Sequence, residues 1–153
     1  MRKELQDRLF KKYPKIFKQK DMTMQETAMC WGIACGDGWY DLIDELCGEI
    51  QNRVKNINRS RQHKIKNSPK TLIPVCVEKF ICEAVQVKEK WGSLRFYIYG
   101  GDDFIQGSIS LAESLSHKLC AQCGLKKEKT DTNRSLCLNC QDKFLTRRKN
   151  ENR

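Results

Sequence analysis

Four cysteines carry the clearest chemistry in this chain of 153 residues: Cys120 and Cys123 form one CxxC pair, and Cys137 and Cys140 form another. Each pair presents two sulfurs from one tight turn. The intervening stretch, Gly124 to Leu136, is long enough for a hairpin that returns the second turn to the first and too short for a domain. Thiols grouped this way can surround one tetrahedral Zn²⁺. The alternative, free or disulfide-linked thiols, leaves a lobe with too few apolar residues to fold unaided. Four protein thiolates also fill the coordination shell and leave no open position for substrate, so the metal expected here is structural.

The other potentially reactive side chains have simpler readings. Cys30, Cys35, Cys47, Cys76 and Cys82 are expected as small buried hydrophobes, with a second metal site built on Cys30, Cys35 and a distant partner as the alternative. Cys30 and Cys35 lack the spacing of a redox CxxC pair. His63 and His117 belong to no hydrolase or nuclease constellation, and His117 is expected on a helix surface beside the metal pair. Asp102 and Asp103 could hold a cation together, but capping a helix accounts for both. No phosphate loop, dinucleotide fingerprint or HExxH pair occurs. The chain is therefore expected not to be an enzyme.

Charge points to a partner. The formal balance is +10, from 29 Lys and Arg against 19 Asp and Glu, and about +8 remains once four thiolates and Zn²⁺ are counted. Eight basic and two acidic residues occupy positions 1–20, whereas 21–52 hold seven acids and no Lys or Arg. The sign then reverses through Arg53, Lys55, Arg59, Arg61, Lys64, Lys66 and Lys70, with no acid before Glu78. Separation of this kind predicts a bipolar surface, one side suited to nucleic-acid phosphate or to an acidic protein. The metal lobe adds Lys126, Lys127, Lys129 and Arg134 before the second pair, and Lys143, Arg147, Arg148, Lys149 and Arg153 after it. The expected phosphate-contacting set is Arg53, Lys55, Arg59, Arg61, Lys64, Lys66, Lys126, Lys127, Arg147 and Arg148, acting without a code for individual bases. No apolar run is long enough for a membrane span and no signal-peptide core follows the charged first residues, which with the thiol-rich composition predicts a cytoplasmic protein.

The elements that must position these groups suggest an α+β fold, helices on a small antiparallel sheet, with a body over 1–118 and a rigidly attached zinc lobe over 119–153. Residues 2–12 read as a short basic helix ended by Pro14, with Leu5 and Leu9 inward, and Ile16 and Phe17 then close over the core. Positions 21–38 read as turns around buried Met29, Cys30 and Trp31. A long helix starts near Asp37, its expected cap, and carries Trp39, Ile43, Leu46, Ile50, Val54 and Ile57 on one stripe. Residues 67–74 read as a linker. Two strands follow, Phe80 to Lys88 and Leu94 to Tyr99, joined by a turn over Glu89 to Ser93, with 71–77 available as a further edge. Trp91, Tyr97 and Tyr99 could stack on bases, but packing beneath the long helix is the expectation. Asp103 with Gln106 then opens a helix whose inward stripe is Ile105, Ile109, Ala112 and Leu115, ending at Leu119 directly before the metal.

Two resemblances extend this reading. Cys120-Ala121-Gln122-Cys123-Gly124 is similar to a zinc knuckle. With the second pair preceding a helix-compatible 141–148, about 30 residues resemble a treble-clef zinc finger, a zinc ribbon being the alternative. In the body, Met29-Cys30-Trp31-Gly32-Ile33, Cys35-Gly36-Asp37-Gly38-Trp39 and Leu42-Ile43-Asp44 form one group of matching residues. Val87 to Tyr97, Gly100-Gly101-Asp102-Asp103 and Ala112-Glu113 form the other. Together they resemble a family of small bacteriophage and prophage proteins. That resemblance implies an accessory protein made in a bacterial host cell, where it would bind a host protein such as a defence component.

Overall fold

A computed structural model describes residues 1–67, 78–128 and 135–151, without the side chains of 67 and 149–151. The expectations for the linker at 68–74, the edge at 71–77, Lys70, Cys76, Lys129, Arg134 and Arg153 lie outside the described residues. Helix α1 spans Lys3–Lys12 and buries Leu9, and the chain then turns so that Ile16 and Phe17 are buried, as their apolar character requires. Strand β1 is only Ile33–Ala34, and a short 3-10 turn over Asp37–Trp39 leads into helix α2, Tyr40–Asn67. Strands β2, Cys82–Lys90, and β3, Ser93–Gly100, form a hairpin, followed by helix α3, Asp103–Ser116, and helix α4, Leu138–Glu151.

The sheet order is β1-β2-β3. The hairpin is antiparallel, as expected, but β1 runs parallel to β2 through Ile33 opposite Val87, so the sheet is mixed. The edge beside β2 thus comes from the segment read as turns. Ile16 extends this cover, its carbonyl accepting from the Ala84 N–H at 2.7 Å.

The hairpin turn is tighter than expected. Only Trp91 and Gly92 lie between the paired Lys90 and Ser93, and both have positive φ, 54° and 85°, as a two-residue turn matched to strand twist requires. Register shifts at Val85, between the pairs Ala84–Ile98 and Gln86–Tyr97. Such a bulge resets the two-residue alternation, which is why Cys82, Ala84 and Val87 are all buried. Ile81 is the exposed neighbour, so Cys82 takes the inward position.

Trp39, Ile43, Leu46, Cys47 and Ile50 of the α2 region share one core with Leu94 and Phe96 of β3 and Ile105, Ile109 and Ala112 of α3. Several local expectations change. Asp37 accepts from the Arg2 backbone N–H at 2.7 Å and pairs with its guanidinium instead of capping α2. Asp102, not Asp103, caps α3, because its extended backbone lets the carboxylate reach the Ile105 N–H at 3.1 Å. Leu115 is exposed, and the inward place goes to Ser116, whose hydroxyl accepts from the Leu94 N–H at 2.8 Å. Trp31 points outward because Gly32, at φ 73°, turns the chain before β1.

The charge blocks fold onto one another. Lys12 meets Asp44 at 2.7 Å, Lys18 meets Glu83 at 3.1 Å, and Lys20 pairs with Asp21. Asp21, Asp37 and Asp44, three of the seven acids of 21–52, thus pair with basic residues of 1–20, and the expected bipolarity is reduced to that extent. It survives along α2, where Asp41, Glu45 and Glu49 are exposed in the first half and Lys55, Arg59 and Lys66 in the second. That order suits the helix dipole, positive at its start and negative at its end.

Candidate metal centre and its basic surroundings

The cysteine cluster is assembled from two different local structures. Leu119 and Lys126 form a short antiparallel bridge, and between them the chain makes a knuckle in which the Gly124 N–H donates to the Cys120 carbonyl at 2.9 Å. Gly124 sits at φ 77°, a conformation that glycine adopts without strain. The second pair straddles the start of α4, Cys137 just before it and Cys140 in its first turn, where the Gln141 N–H bonds the Cys137 carbonyl at 2.9 Å.

All four sulfurs lie within 4.8 Å of one another, and Cys123 Sγ is 3.8 Å from Cys137 Sγ. A tetrahedral zinc with bonds of about 2.3 Å sets its sulfurs about 3.8 Å apart, so the cluster fits a single ion of this kind. The donors are soft thiolates, the type that selects zinc over magnesium or calcium.

Backbone amides from both cysteine pairs converge on one sulfur. Burial pushes the Cys120 thiol upward, but the backbone N–H groups of Cys137, Cys123 and Gln122 point at its sulfur and bring it down to about 7. Cys140 lacks that cradle, and burial together with neighbouring thiols pushes it up to about 12. Cys120, Cys123, Cys137 and Cys140 would hold the ion as thiolates, so metal binding would be coupled to loss of their protons.

The knuckle is seated on the body by the segment before α2. Gly38 N–H donates to the Ala121 carbonyl at 2.9 Å, and the Trp39 indole N–H donates to the Leu119 carbonyl at 3.3 Å. A methyl group on Gly38 would come within 2.8 Å of the Cys123 nitrogen and closer still to Gly124 and Cys120. One on Gly36 would reach within 2.7 Å of the Ala121 carbonyl carbon. Backbone packs on backbone here. Sequence reasoning missed this seat, although two glycines flanking Asp37 immediately before a buried Trp were its visible trace. A second strut runs from Ser135, whose hydroxyl donates to Glu89 at 3.1 Å and whose carbonyl accepts from the Ala121 N–H at 2.8 Å. Beside it lies a cleft of about 480 Å³ lined in part by Ala34, Cys35, Glu89, Ala121, Ser135 and Phe144.

The other described thiols stay out of the cluster, which is the metal-competent group of three or more ligands among the described residues. Cys35, Cys47 and Cys82 are buried, and burial pushes Cys35 and Cys82 up to about 12, keeping them protonated. Cys30 is partly exposed, its thiol donating to the Thr27 carbonyl at 3.1 Å. His117 is exposed.

The ten expected basic contacts separate into two groups. Arg53 is committed to Asp102 at 2.8 Å and stacks over Phe104 at 5.1 Å, and Arg61 donates to the Glu78 carbonyl at 2.8 Å while covering Phe80. These two hold the start of β2 and of α3 against α2, together with Asn58, which bonds both the N–H and the carbonyl of Phe80. Arg148 lies over the Phe144 ring at 4.8 Å. Lys55, Arg59, Lys66, Lys126 and Arg147 are exposed, as is Lys64, whereas Lys127 is half-buried. A shallow groove of about 290 Å³ runs along α2 between Arg53, Ile57, Arg61 and Lys64. No described helix is long and apolar enough to cross a membrane.

No protein-family model, curated protein or solved structure matches the chain.

Proposed function

We propose that this is a zinc-stabilised, non-catalytic binding protein whose basic surface contacts nucleic-acid phosphate with little sequence preference. The observation that supports it best is the exposed row Lys55, Arg59 and Lys66 on one side of α2, free of ion pairs among the described residues. Exposed Lys126 and Arg147 add positive charge in the metal lobe. Cations spaced along one helix face match a phosphate backbone, and they bind it by releasing its counterions. The knuckle followed by a helix that begins within the second cysteine pair favours a treble-clef arrangement over a ribbon. The lobe at 119–153 then acts as one piece with the body through its glycine seat.

The test is binding to unrelated DNA and RNA sequences across a salt series. Affinity is expected to fall steeply as salt rises, with similar values for each sequence. Reversing Lys55, Arg59 and Lys66 to Glu is expected to weaken all sequences alike. Absence of binding at low salt would refute the proposal.

A second reading has one observation in its favour. Phe104, Leu111 and Leu115 form an exposed apolar stripe on α3, 39% to 62% accessible, beyond what solubility requires. A bacteriophage accessory protein acting in the host cytoplasm would use such a stripe, with the adjoining cations, to engage an acidic host protein such as a defence component. A stoichiometric protein complex that survives nuclease treatment and is lost in Leu111→Glu would favour it.

A further inference from the structure

The outward side of the hairpin departs from expectation in a way that bears on the ligand. Tyr97 and Tyr99 are 42% and 62% exposed, and Trp91 at the turn is 71% exposed, so none of the three packs beneath α2. Phe96 and Leu94, in the alternate positions, occupy the core instead. Lys88 Nζ lies 5.8 Å from the centre of the Tyr97 ring, and Lys90 Nζ lies 4.6 Å from that of Trp91. The exposed ring of Tyr97 on the strand and that of Trp91 at the turn thus each carry an ammonium group over them, and Tyr99 follows Tyr97 on the same face of β3.

Trp91 is the most telling of these residues. At φ 54° it is the one described residue other than glycine with positive φ, in a turn position that Asn, Asp or Gly fills with less strain. Its indole finds no core to compensate for that conformation. A strained, bulky and exposed side chain of this kind is an observed outlier of the sort that accompanies binding sites.

The carboxylates near this surface are occupied. Glu83 is buried and held by Lys18 and Gln19. Glu89 accepts from the Gly92 N–H at 2.6 Å and from Ser135. Glu113 binds the Phe96 N–H at 3.0 Å along the β3 edge and pairs with Arg95. What faces solvent is aromatic and cationic, complementary to an anion that carries flat rings.

We propose that this face is a stacking platform for single-stranded nucleic acid. The inference rests on the phosphate-binding reading above and adds to it the strandedness of the ligand. Two side chains on one face of a strand, such as Tyr97 and Tyr99, stand about 6.8 Å apart. That spacing suits successive bases of an extended strand. Each base lays its π-face on a ring, and the flexible Lys88 and Lys90 side chains swing from the Tyr97 and Trp91 rings to meet the phosphates between the bases. A duplex keeps its bases stacked and paired inside, so it reaches the cations but not the rings.

The test uses fluorescence anisotropy of the full zinc-loaded chain with labelled oligothymidylate and oligouridylate of about 15 residues, and with a mixed-sequence duplex of equal length. Single strands are expected to bind about tenfold or more tighter than the duplex. Tyr97→Ala, Tyr99→Ala and Trp91→Ala are each expected to weaken single-strand binding about five- to a hundredfold and to leave duplex binding unchanged. Tyr99→Phe is expected to retain affinity and Tyr99→Leu to lose it, because stacking needs the ring and not merely apolar area. Exposure of these side chains predicts unaltered urea midpoints, which verifies that each variant is folded. Equal binding of single strand and duplex, or wild-type affinity in Tyr99→Leu, overturns the platform and leaves the phosphate reading intact. Failure of every nucleic acid to bind overturns both.

Discussion

Replacing Gly38 by Ala tests whether the metal knuckle depends on the body for its seat. The added methyl would lie within 2.8 Å of the Cys123 nitrogen and nearer to Gly124 and the Cys120 carbonyl, all of them backbone atoms that cannot rotate away. Overpacking of this kind costs about 1–3 kcal/mol. The displaced segment also endangers the 2.9 Å bond from Gly38 N–H to the Ala121 carbonyl, worth about 0.5–1.5 kcal/mol net. Ala recovers up to about 1 kcal/mol by restricting the unfolded chain. The expected net loss is roughly 1–3 kcal/mol, read from urea unfolding of the zinc-loaded protein, together with faster release of zinc to a chromogenic chelator. Gly107→Ala is the matched control. Nothing lies within 4 Å of its added methyl in the exposed middle of α3, so the same change there is expected to stabilise by about 0.5–1 kcal/mol. If Gly38→Ala unfolds within about 0.5 kcal/mol of wild type and releases zinc at the same rate, the seat is not a structural contact.

Leu46, 4% exposed beneath the sheet, is expected to cost about 2–5 kcal/mol when changed to Ala, measured by the same unfolding assay. Cys123→Ser is expected to lower the metal content of natively purified protein from one zinc per chain and to remove helical signal from α4. Chelation should do the same to wild type, because folding of such a lobe is coupled to its metal. Asp102 supplies the pH prediction. Burial pushes its carboxyl upward, but hydrogen bonds from Arg53 and the Ile105 N–H outweigh that and hold it below the usual value. Its contribution is therefore present above about pH 4, the unfolded value, and lost as pH falls through the lower folded one. Asp102→Asn keeps a cap but loses the charge. The stability gap between wild type and this variant should narrow on acidification, and a gap that is constant from neutral pH to pH values well below 4 would contradict the assignment.

Local order was readable in the chain because it is encoded within a few residues. Two CxxC turns specify a sulfur cluster through their own geometry, and the Gln122 and Cys123 amides that help lower Cys120 come with the turn, whereas the Cys137 amide reaches it only through the fold. The stripe Trp39, Ile43, Leu46 and Ile50 announces a buried helix face, and alternation through Leu94 and Phe96 announces a strand. Which surfaces lie open is decided by distant segments. Strand β1 has two residues and no periodicity of its own; it exists because Val87 and Lys88 offer it an unpaired edge. The charge blocks looked bipolar in one dimension and were joined by Lys12 and Asp44 in three. Gly36 and Gly38 read as turn residues, and only the approach of Ala121 and Gly124 made their missing side chains a requirement. The bulge at Val85 moved the inward set on β2, while α2 and α3 covered one side of the hairpin. Tyr97 and Tyr99 were left on the other side, since a strand's alternation separates two faces but the packing of remote helices selects which becomes the core.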